Sequence, residues 1–275
     1  MDLRDFLAWS DGAGGLQEVQ RPVDPHLEMA RLVHALDGQT LLFTEPKRPG
    51  WRVVAGVCAR REHFAWALRA GNGETGVRDI IPRLVAALER PQAPPLVAQP
   101  PCQEVVEHSP NLDALPILKH LPADGGPYVT AAVAVIRDPD HGRNASFHRL
   151  MQIGPQQFSA RIVEGRGTHT AWQKALGAGH ELEVAICLGV PIHVLLAASL
   201  SPAPGIDELS IAQALAPTPL ARCLTVDLEV PARCEAVLEG RITGRLAPEG
   251  PFIDLTETWD IVRQQPVIEI DCLTH

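Results

Sequence analysis

Hydrophobic positions along the first hundred residues repeat with two different periods. "DLRDFLAWSD" (2–11) and "HLEMARLVHAL" (26–36) carry apolar residues at helical spacing, "TLLFTE" (40–45) and "WRVVAGVC" (51–58) read as strands, and "HFAWALRA" (63–70) and "VRDIIPRLVAALE" (77–89) as further helices. This mixture predicts a small α/β unit over residues 1–98. In "RPQAPPLVAQPPCQE" (90–104) five prolines hold the chain stiff and extended, which marks a domain boundary. From about residue 102 the texture changes to strands of similar length: "CQEVVEH", "YVTAAVAVIRD", "SFHRLMQIG", "QFSARIV", "LEVAICLG", "IHVLLAAS", "LTVDLEVP" and "CEAVLEGRITG". Two helical pieces, "HTAWQKALG" and "IDELSIAQAL", interrupt them. Many strands with few helices predict a barrel or highly curved sheet over residues 99–275, and an α+β class for the whole chain. No internal repeat shows, no Gly-x-Gly-x-x-Gly follows a first strand, and there is no P-loop.

Composition narrows the function classes. With 275 residues, 45% hydrophobic and 21% charged, the chain can bury a sizeable core. A formal net charge of -9 leaves no long Lys/Arg stripe to neutralise phosphates, which argues against a general nucleic-acid partner. The six cysteines, at 58, 102, 187, 223, 234 and 272, form no CxxC pair and no zinc-type spacing, so they read as small buried hydrophobes in a reducing compartment. "MDLRDFLAW" has charges on both sides of a short apolar pattern, unlike a signal peptide. "VAICLGVPIHVLLAAS" is broken by Gly189, Pro191 and His193 and is too short to span a bilayer. A cytoplasmic protein with no membrane partner is expected.

Four stretches carry candidate chemistry, each beside a plainer reading. In "DPDHGRNASFHRLMQIG", strand alternation puts Asn144, Ser146 and His148 on one face and Phe147 and Arg149 on the other; the plainer reading is a solvated turn with a surface arginine. "EGRGTHTAWQKA" places Arg166, Gly167 and His169 at a helix entry, an anion cradle or simply a segment capped by Thr168 or Thr170. "PGIDELSIAQAL" puts Asp207 and Glu208 in a first helical turn, where acids suit the helix dipole; Asn, His and Glu together also suit a hard divalent ion. "RLAPEGPFIDLTETWD" sets Glu249 and Asp254 around a Gly-Pro-Phe turn, either a polar turn or a pair of acids for proton chemistry.

Taken together, these motifs resemble the UbiD family of prenylated-FMN-dependent decarboxylases. "DLRDFLAW", "VDPHLEMARL" and "LLFTEPKRPGWRVVAGVCARREHFAWAL" are similar to its N-terminal domain, and "LPILKHLPADGGPYVTAAVAVIRDPDHGRNASFHRLMQIG" to its "DGGPYIT...NxGxYR" stretch. "PGIDELSIAQAL", "TVDLEVPARCEAVLEG" and "PEGPFID" follow in family order, so the resemblance covers nearly the whole chain. It implies a small N-terminal α/β domain followed by a flavin-reductase-like split β-barrel. By the family pattern Asn144, His169 and Glu208 hold a divalent metal, usually manganese, that bridges to the cofactor phosphate, with a potassium site nearby. Ser146, Phe147, His148, Arg161, Arg166 and Gly167 match the cofactor contacts. Arg149, Glu249 and Asp254 match the catalytic arginine and two acids: Arg149 orients the substrate carboxylate or couples to Glu249, and Asp254 delivers the proton that replaces CO2. The implied substrate is an aromatic, heteroaromatic or α,β-unsaturated carboxylic acid. A flavin prenyltransferase is the implied supplier of cofactor, and a homo- or hetero-oligomer the implied assembly.

The chain also departs from the pattern. His148 stands for the tyrosine before the arginine, Ser146 for a glycine, and Ile253 for the glycine before the second acid, where a β-branched residue restricts φ. The sequence ends at "VIEIDCLTH", where family members hand over to a C-terminal α/β domain. Two alternatives to a self-sufficient enzyme follow: a cofactor-binding subunit that needs a partner with that domain, or a non-catalytic relative.

Overall fold

The computed structural model describes residues 1–68, 76–254 and 256–275. It opens with helix α1 (Leu3–Gly12), strand β1 (Leu16–Val19), helix α2 (Glu28–Ala35), strands β2 (Thr40–Phe43) and β3 (Val53–Ala55), and helices α3 (Arg61–Ala67) and α4 (Ile80–Glu89). Arg69 and Ala70, the last residues of the helix expected over 63–70, lie outside the described residues. α1 begins on a capping box in which the Asp2 and Asp5 side chains each accept the other's backbone N–H. β1, β2 and β3 form one small sheet, β1 parallel to β2 and β2 antiparallel to β3. Its Leu41 and Phe43 pack on Val23 and Met29.

The rest of the chain adds β4 (Val106–His108), β5 (Tyr128–Val129), β6 (Val133–Asp138), β7 (Gly142–Phe147), β8 (Leu150–Gly154) and β9 (Gln157–Ala160). Then come α5 (Gly167–Gly177), β10 (Leu182–Leu188), α6 (Ile192–Ala198), α7 (Glu208–Leu215), β11 (Leu220–Arg222) and β12 (Glu229–Pro231). The last elements are β13 (Ala236–Glu249), β14 (Phe252–Ile253), β15 (Trp259–Asp260) and β16 (Arg263–Thr274). Nine strands make one antiparallel sheet in the order β5-β8-β9-β16-β13-β10-β6-β7, with β4 on a further stretch of β16. The α+β class expected from the sequence is therefore the class observed.

Alternation along the central strands feeds two cores at once. On β10 Val184 and Ile186 point into one, shared with Ala134, Ile136, Leu238 and Trp172 of α5. Ala185 and Cys187 point into the other, shared with Val133, Val135 and Val237 and with Val194 of α6 and Leu209 of α7. A strand covered on both faces has no polar face to show, which is why "LEVAICL" reads as a nearly unbroken apolar run. The second core also reaches across the proline-rich stretch, since Leu68 and Ala87 belong to it. Four of the cysteines are buried, but Cys58 is exposed, contrary to the buried role expected of all six.

"IHVLLAAS" is a helix, not the expected strand. A short apolar run is ambiguous between a buried strand and a buried helix; here Pro191 starts it, Leu-Leu-Ala-Ala continues it with good helix formers, and α3 and α7 pack against it. Within α6, His193 is 1% exposed and its Nε2 lies 3.0 Å from Thr218 Oγ1. Thr218 donates its own hydroxyl to the Ala216 carbonyl, so His193 is the donor in this pair. Burial pushes the pKa of His193 from 6.5 down to about 3. A depressed folded-state value means that the stability held by the neutral ring is present above pH 6.5 and is lost as the pH falls toward 3. Urea melts are expected to show about 2–3 kcal/mol lost between pH 6.5 and 4.5, and a visibly flatter profile for His193→Gln. No helix among the described residues is long and apolar enough to cross a membrane.

Candidate active site

The site is built around a corner of the chain between β7 and β8, where His148 and Arg149 face opposite ways. On the His148 side the alternation expected from the sequence holds: Asn144, Ser146 and His148 form one hydrogen-bonded row. Ser146 Oγ donates to Asn144 Oδ1 at 3.2 Å and lies 3.2 Å from His148 Nε2. His148 Nδ1 faces the Arg161 carbonyl at 3.2 Å, which can only accept, so Nδ1 carries the proton and Nε2 accepts from Thr168 Oγ1 at 3.0 Å. Burial lowers the pKa of His148, in keeping with a neutral ring. Asn144 Nδ2 donates to Glu208 Oε1 at 3.0 Å, and the Ala145 N–H donates to Glu208 Oε2 at 2.9 Å.

Glu208 is 4% exposed, and burial, with the Asp207 charge adding to it against three hydrogen bonds, lifts its pKa to about 7. The nearest arginine on that strand, Arg143, is already committed to Asp207 and Glu229. Asp207 caps α7 through the Leu209 N–H, so the sequence "DE" divides its labour: the first acid caps the helix and the second is buried against Asn144. Among the described residues no cation pairs with this buried carboxylate, and a carboxylate beside an amide oxygen is a donor set that suits a hard divalent ion. His169, the third residue of the expected metal set, sits in the first turn of α5 with its ring against Trp172 and its Nδ1 accepting from the Gly165 N–H at 3.4 Å. The structure thus joins Asn144 to Glu208 but gives His169 no bond to either. Among the described residues no group of three His, Cys, Asp or Glu side chains could hold a metal.

The expected cofactor residues surround the same row. Arg166 is the N-cap of α5 with no side-chain cap bond, which leaves the first N–H groups of the helix open, and Gly167 stands next to Asn144. Open helix-start amides beside Ser146 and His148 suit a phosphate. Phe147 is exposed, and Arg161 is mostly buried with only a 3.8 Å approach to Asp260 and a bond to the Ile162 carbonyl.

On the other side of the corner, Arg149 meets Glu249 at the end of β13. Nε donates to Oε1 and Nη2 to Oε2, each at 2.9 Å, while Glu249 is 0% exposed and also accepts from the Tyr128 hydroxyl at 3.2 Å. Burial, then the Glu249 charge, raises the pKa of Tyr128, which keeps it a donor. The Phe252 ring lies 4.7 Å from both the Arg149 guanidinium carbon and the Tyr128 ring centre. The "DGGPY" stretch is brought in by backbone: the Gly125 N–H donates to the Pro251 carbonyl at 2.8 Å.

The hairpin beyond Phe252 carries the second acid. Asp254 does not reach Arg149; it sits at the tip of the β14–β15 hairpin, where its carboxylate accepts from the Thr256 N–H at 2.8 Å and from the Thr256 and Thr258 hydroxyls. Asp-x-Thr turn chemistry ties that side chain to its own loop. Asp260 does reach Arg149: β15 pairs Asp260 with Phe252, and its Oδ2 accepts from Arg149 Nη2 at 2.7 Å. It also pairs with Arg263. Burial alone would raise the Asp260 carboxyl, but these arginines hold it down at about 2.

A family model described as the 3-octaprenyl-4-hydroxybenzoate carboxy-lyase Rift-related domain matches residues 96–275, and one for the N-terminal domain of the same carboxy-lyase matches residues 7–84. The chain belongs to the UbiD family. Among UbiD relatives, the anhydromevalonate phosphate decarboxylase of Methanothermobacter thermautotrophicus is 38% identical over 257 residues, covering 92% of this chain and 59% of that protein. The Methanosarcina mazei protein of the same name is 35% identical, covering 100% and 63%. The UbiD-class enzyme HmfF of Pelotomaculum thermopropionicum, solved in an evolved dimeric form with prenylated FMN, superposes with a TM-score of 0.94 at 39% identity, covering 100% of this chain and 65% of that one. Vanillic acid decarboxylase of Sedimentibacter hydroxybenzoicus superposes at 0.93 with 26% identity, covering 100% and 62%. This UbiD chain therefore spans about three fifths of the length of these relatives.

Proposed function

We propose that this chain carries the cofactor-binding and acid–arginine parts of a prenylated-FMN-dependent decarboxylase, acting on an aromatic, heteroaromatic or α,β-unsaturated carboxylic acid. The observation that carries the reading is the corner at residues 148 and 149: His148 is bonded to Thr168 at the start of α5, and Arg149 is bonded to the buried Glu249. In this reading the residues for the cofactor phosphate and the acid–arginine pair sit on opposite sides of one peptide bond. Dehydration of a 3-hydroxy acid such as mevalonate leaves an α,β-unsaturated acid, so the relatives named for anhydromevalonate phosphate favour the unsaturated class.

The bound flavin supplies the electron sink for the carbon that loses CO2. Asn144, Glu208 and, in the family pattern, His169 would hold the divalent metal, manganese, and Ser146, Phe147, His148, Arg161, Arg166 and Gly167 would line the cofactor; potassium is the other ion the family pattern calls for. Arg149 orients the substrate carboxylate. Glu249, a carboxylate held between Arg149 and the Tyr128 hydroxyl, fixes the guanidinium in place, and Asp254, the second acid of the family pattern, would return a proton to the product carbon.

Coexpression with a flavin prenyltransferase, followed by anaerobic purification with manganese and potassium, tests the cofactor half. The purified chain is expected to show a visible flavin spectrum, with retention reduced at least about tenfold in Asn144→Ala and Glu208→Ala. A colourless native chain, or variants as yellow as the native chain, would remove the basis for the reading.

A further inference from the structure

We propose that Asp260 is a positioning residue for Arg149, a second carboxylate beside the guanidinium in addition to Glu249. The proposal rests on the decarboxylase reading above and concerns which edge of Arg149 a substrate meets.

A guanidinium has five N–H donors in a fixed plane. Three of those of Arg149 are occupied: Nε and one Nη2 hydrogen by the two oxygens of Glu249, and the other Nη2 hydrogen by Asp260 at 2.7 Å. Phe252 covers the ring-facing side at 4.7 Å. Among the described residues nothing accepts from Nη1, so Nη1 alone is left to a substrate carboxylate. An arginine free at both terminal nitrogens would instead grip a carboxylate end-on through Nη1 and Nη2 together. By occupying Nη2, Asp260 rules out that geometry and keeps the substrate to one side.

The hairpin makes this arrangement specific to Asp260. The cross-strand pairing of Phe252 with Asp260 puts both on the same face, which is the face turned to Arg149. Asp254 begins the turn that joins the two strands: its backbone N–H donates to the Thr258 carbonyl, and its carboxylate is used by Thr256 and Thr258. Asp260 is also the shared counter-ion of Arg161, at 3.8 Å, and Arg263. Removing its charge therefore makes the pocket more attractive to anions while releasing Arg149 from its fixed edge.

These two effects push kinetic parameters in opposite directions, which a merely structural role would not do. In the flavin-loaded chain, Asp260→Asn is expected to lower kcat about 10²-fold, the usual consequence of misplacing a reacting group by about 1 Å, while KM for the acid falls. Asp260→Glu is expected to recover most of kcat. A readout independent of turnover is the 15N-detected Arg149 guanidinium signal, assigned by its loss in Arg149→Met. Its restrained Nη2 resonance is expected in the native chain, Asp254→Asn and Asp260→Glu, and is lost to rotation in Asp260→Asn, or in Asp260→Ser should the asparagine form not fold. An Nη2 signal that survives in the Asp260 variants, or one lost in Asp254→Asn, overturns the proposal. A native chain that releases no CO2 defeats the decarboxylase reading, while the Arg149 signal still decides the role of Asp260.

Discussion

Arg149→Met is expected to destabilise the chain by about 3–5 kcal/mol, because it removes one member of a buried ion pair and leaves the other uncompensated. Glu249 is 0% exposed and takes two of its three hydrogen bonds from Arg149, so the variant strands a carboxylate that water cannot reach. The second change Glu249→Gln removes that charge and keeps an oxygen for the Tyr128 hydroxyl. The double variant Arg149→Met/Glu249→Gln is therefore expected to regain at least about 2 kcal/mol of the loss in urea unfolding at neutral pH. It is not expected to regain activity, since both the anchor for the substrate carboxylate and the carboxylate that fixes that anchor are absent. Stability and catalysis thus separate within one pair of residues.

Gly125→Ala is expected to act at the same place from the backbone side. A Cβ at Gly125 would lie 2.2 Å from the Gly250 carbonyl oxygen and 2.6 Å from its carbon, so one backbone segment has to move. Gly250 follows Glu249 directly and is itself at φ 99, a conformation that glycine adopts without strain. The displacement therefore passes straight to Glu249 and Arg149. Overpacking of this kind costs about 1–3 kcal/mol, and a shift near 1 Å at Glu249 is worth about 10²-fold in kcat. Gly126→Ala is the control: its Cβ would meet Met151 Cγ at 3.3 Å, a flexible side chain that can yield. Thermal melts and turnover of the two variants side by side are expected to show a large loss for Gly125 and a small one for Gly126.

Much of the His148 side could be read from the sequence because it depends on local geometry. Period-2 alternation alone puts Asn144, Ser146 and His148 in one row, and a Gly-rich helix entry announces the start of α5. The Arg149–Glu249 pair, 100 residues apart, needed the family resemblance, since no local rule joins β8 to the end of β13. Asp260 escaped both kinds of reading. The turn residues between Phe252 and Trp259 do not specify the hairpin register, and that register decides whether Asp254 or Asp260 faces Arg149. The family spacing gave Asp254 the proton and assigned no role to Asp260, which lies beyond the matched motif. Tyr128, the single tyrosine of the chain, lay in a quoted motif without a role because its partner Glu249 is distant in sequence.

The fold shows the same division. The strands around β6, β10 and β13 announce themselves by apolar runs, whereas α6 does not, because a helix buried on most sides carries no polar stripe to reveal its period. β16 went unassigned although it lies between β9 and β13 in the sheet. Its Pro266 argues against a central strand, and the structure accommodates that proline opposite Leu246, at the irregularity where the register of β13 slips.

The most direct test of decarboxylation is CO2 released by the flavin-loaded native chain, compared with the Arg149→Met/Glu249→Gln chain. Both are offered α,β-unsaturated acids, with and without a phosphate, and aromatic acids, and the gas is counted against protonated product. The expected result is CO2 in equal amount to product from the native chain for one of these classes and none above background from the double variant. Equal release from both chains, or none from a native chain with its flavin bound, would contradict the assignment of Arg149 and Glu249 as the residues that carry the reaction.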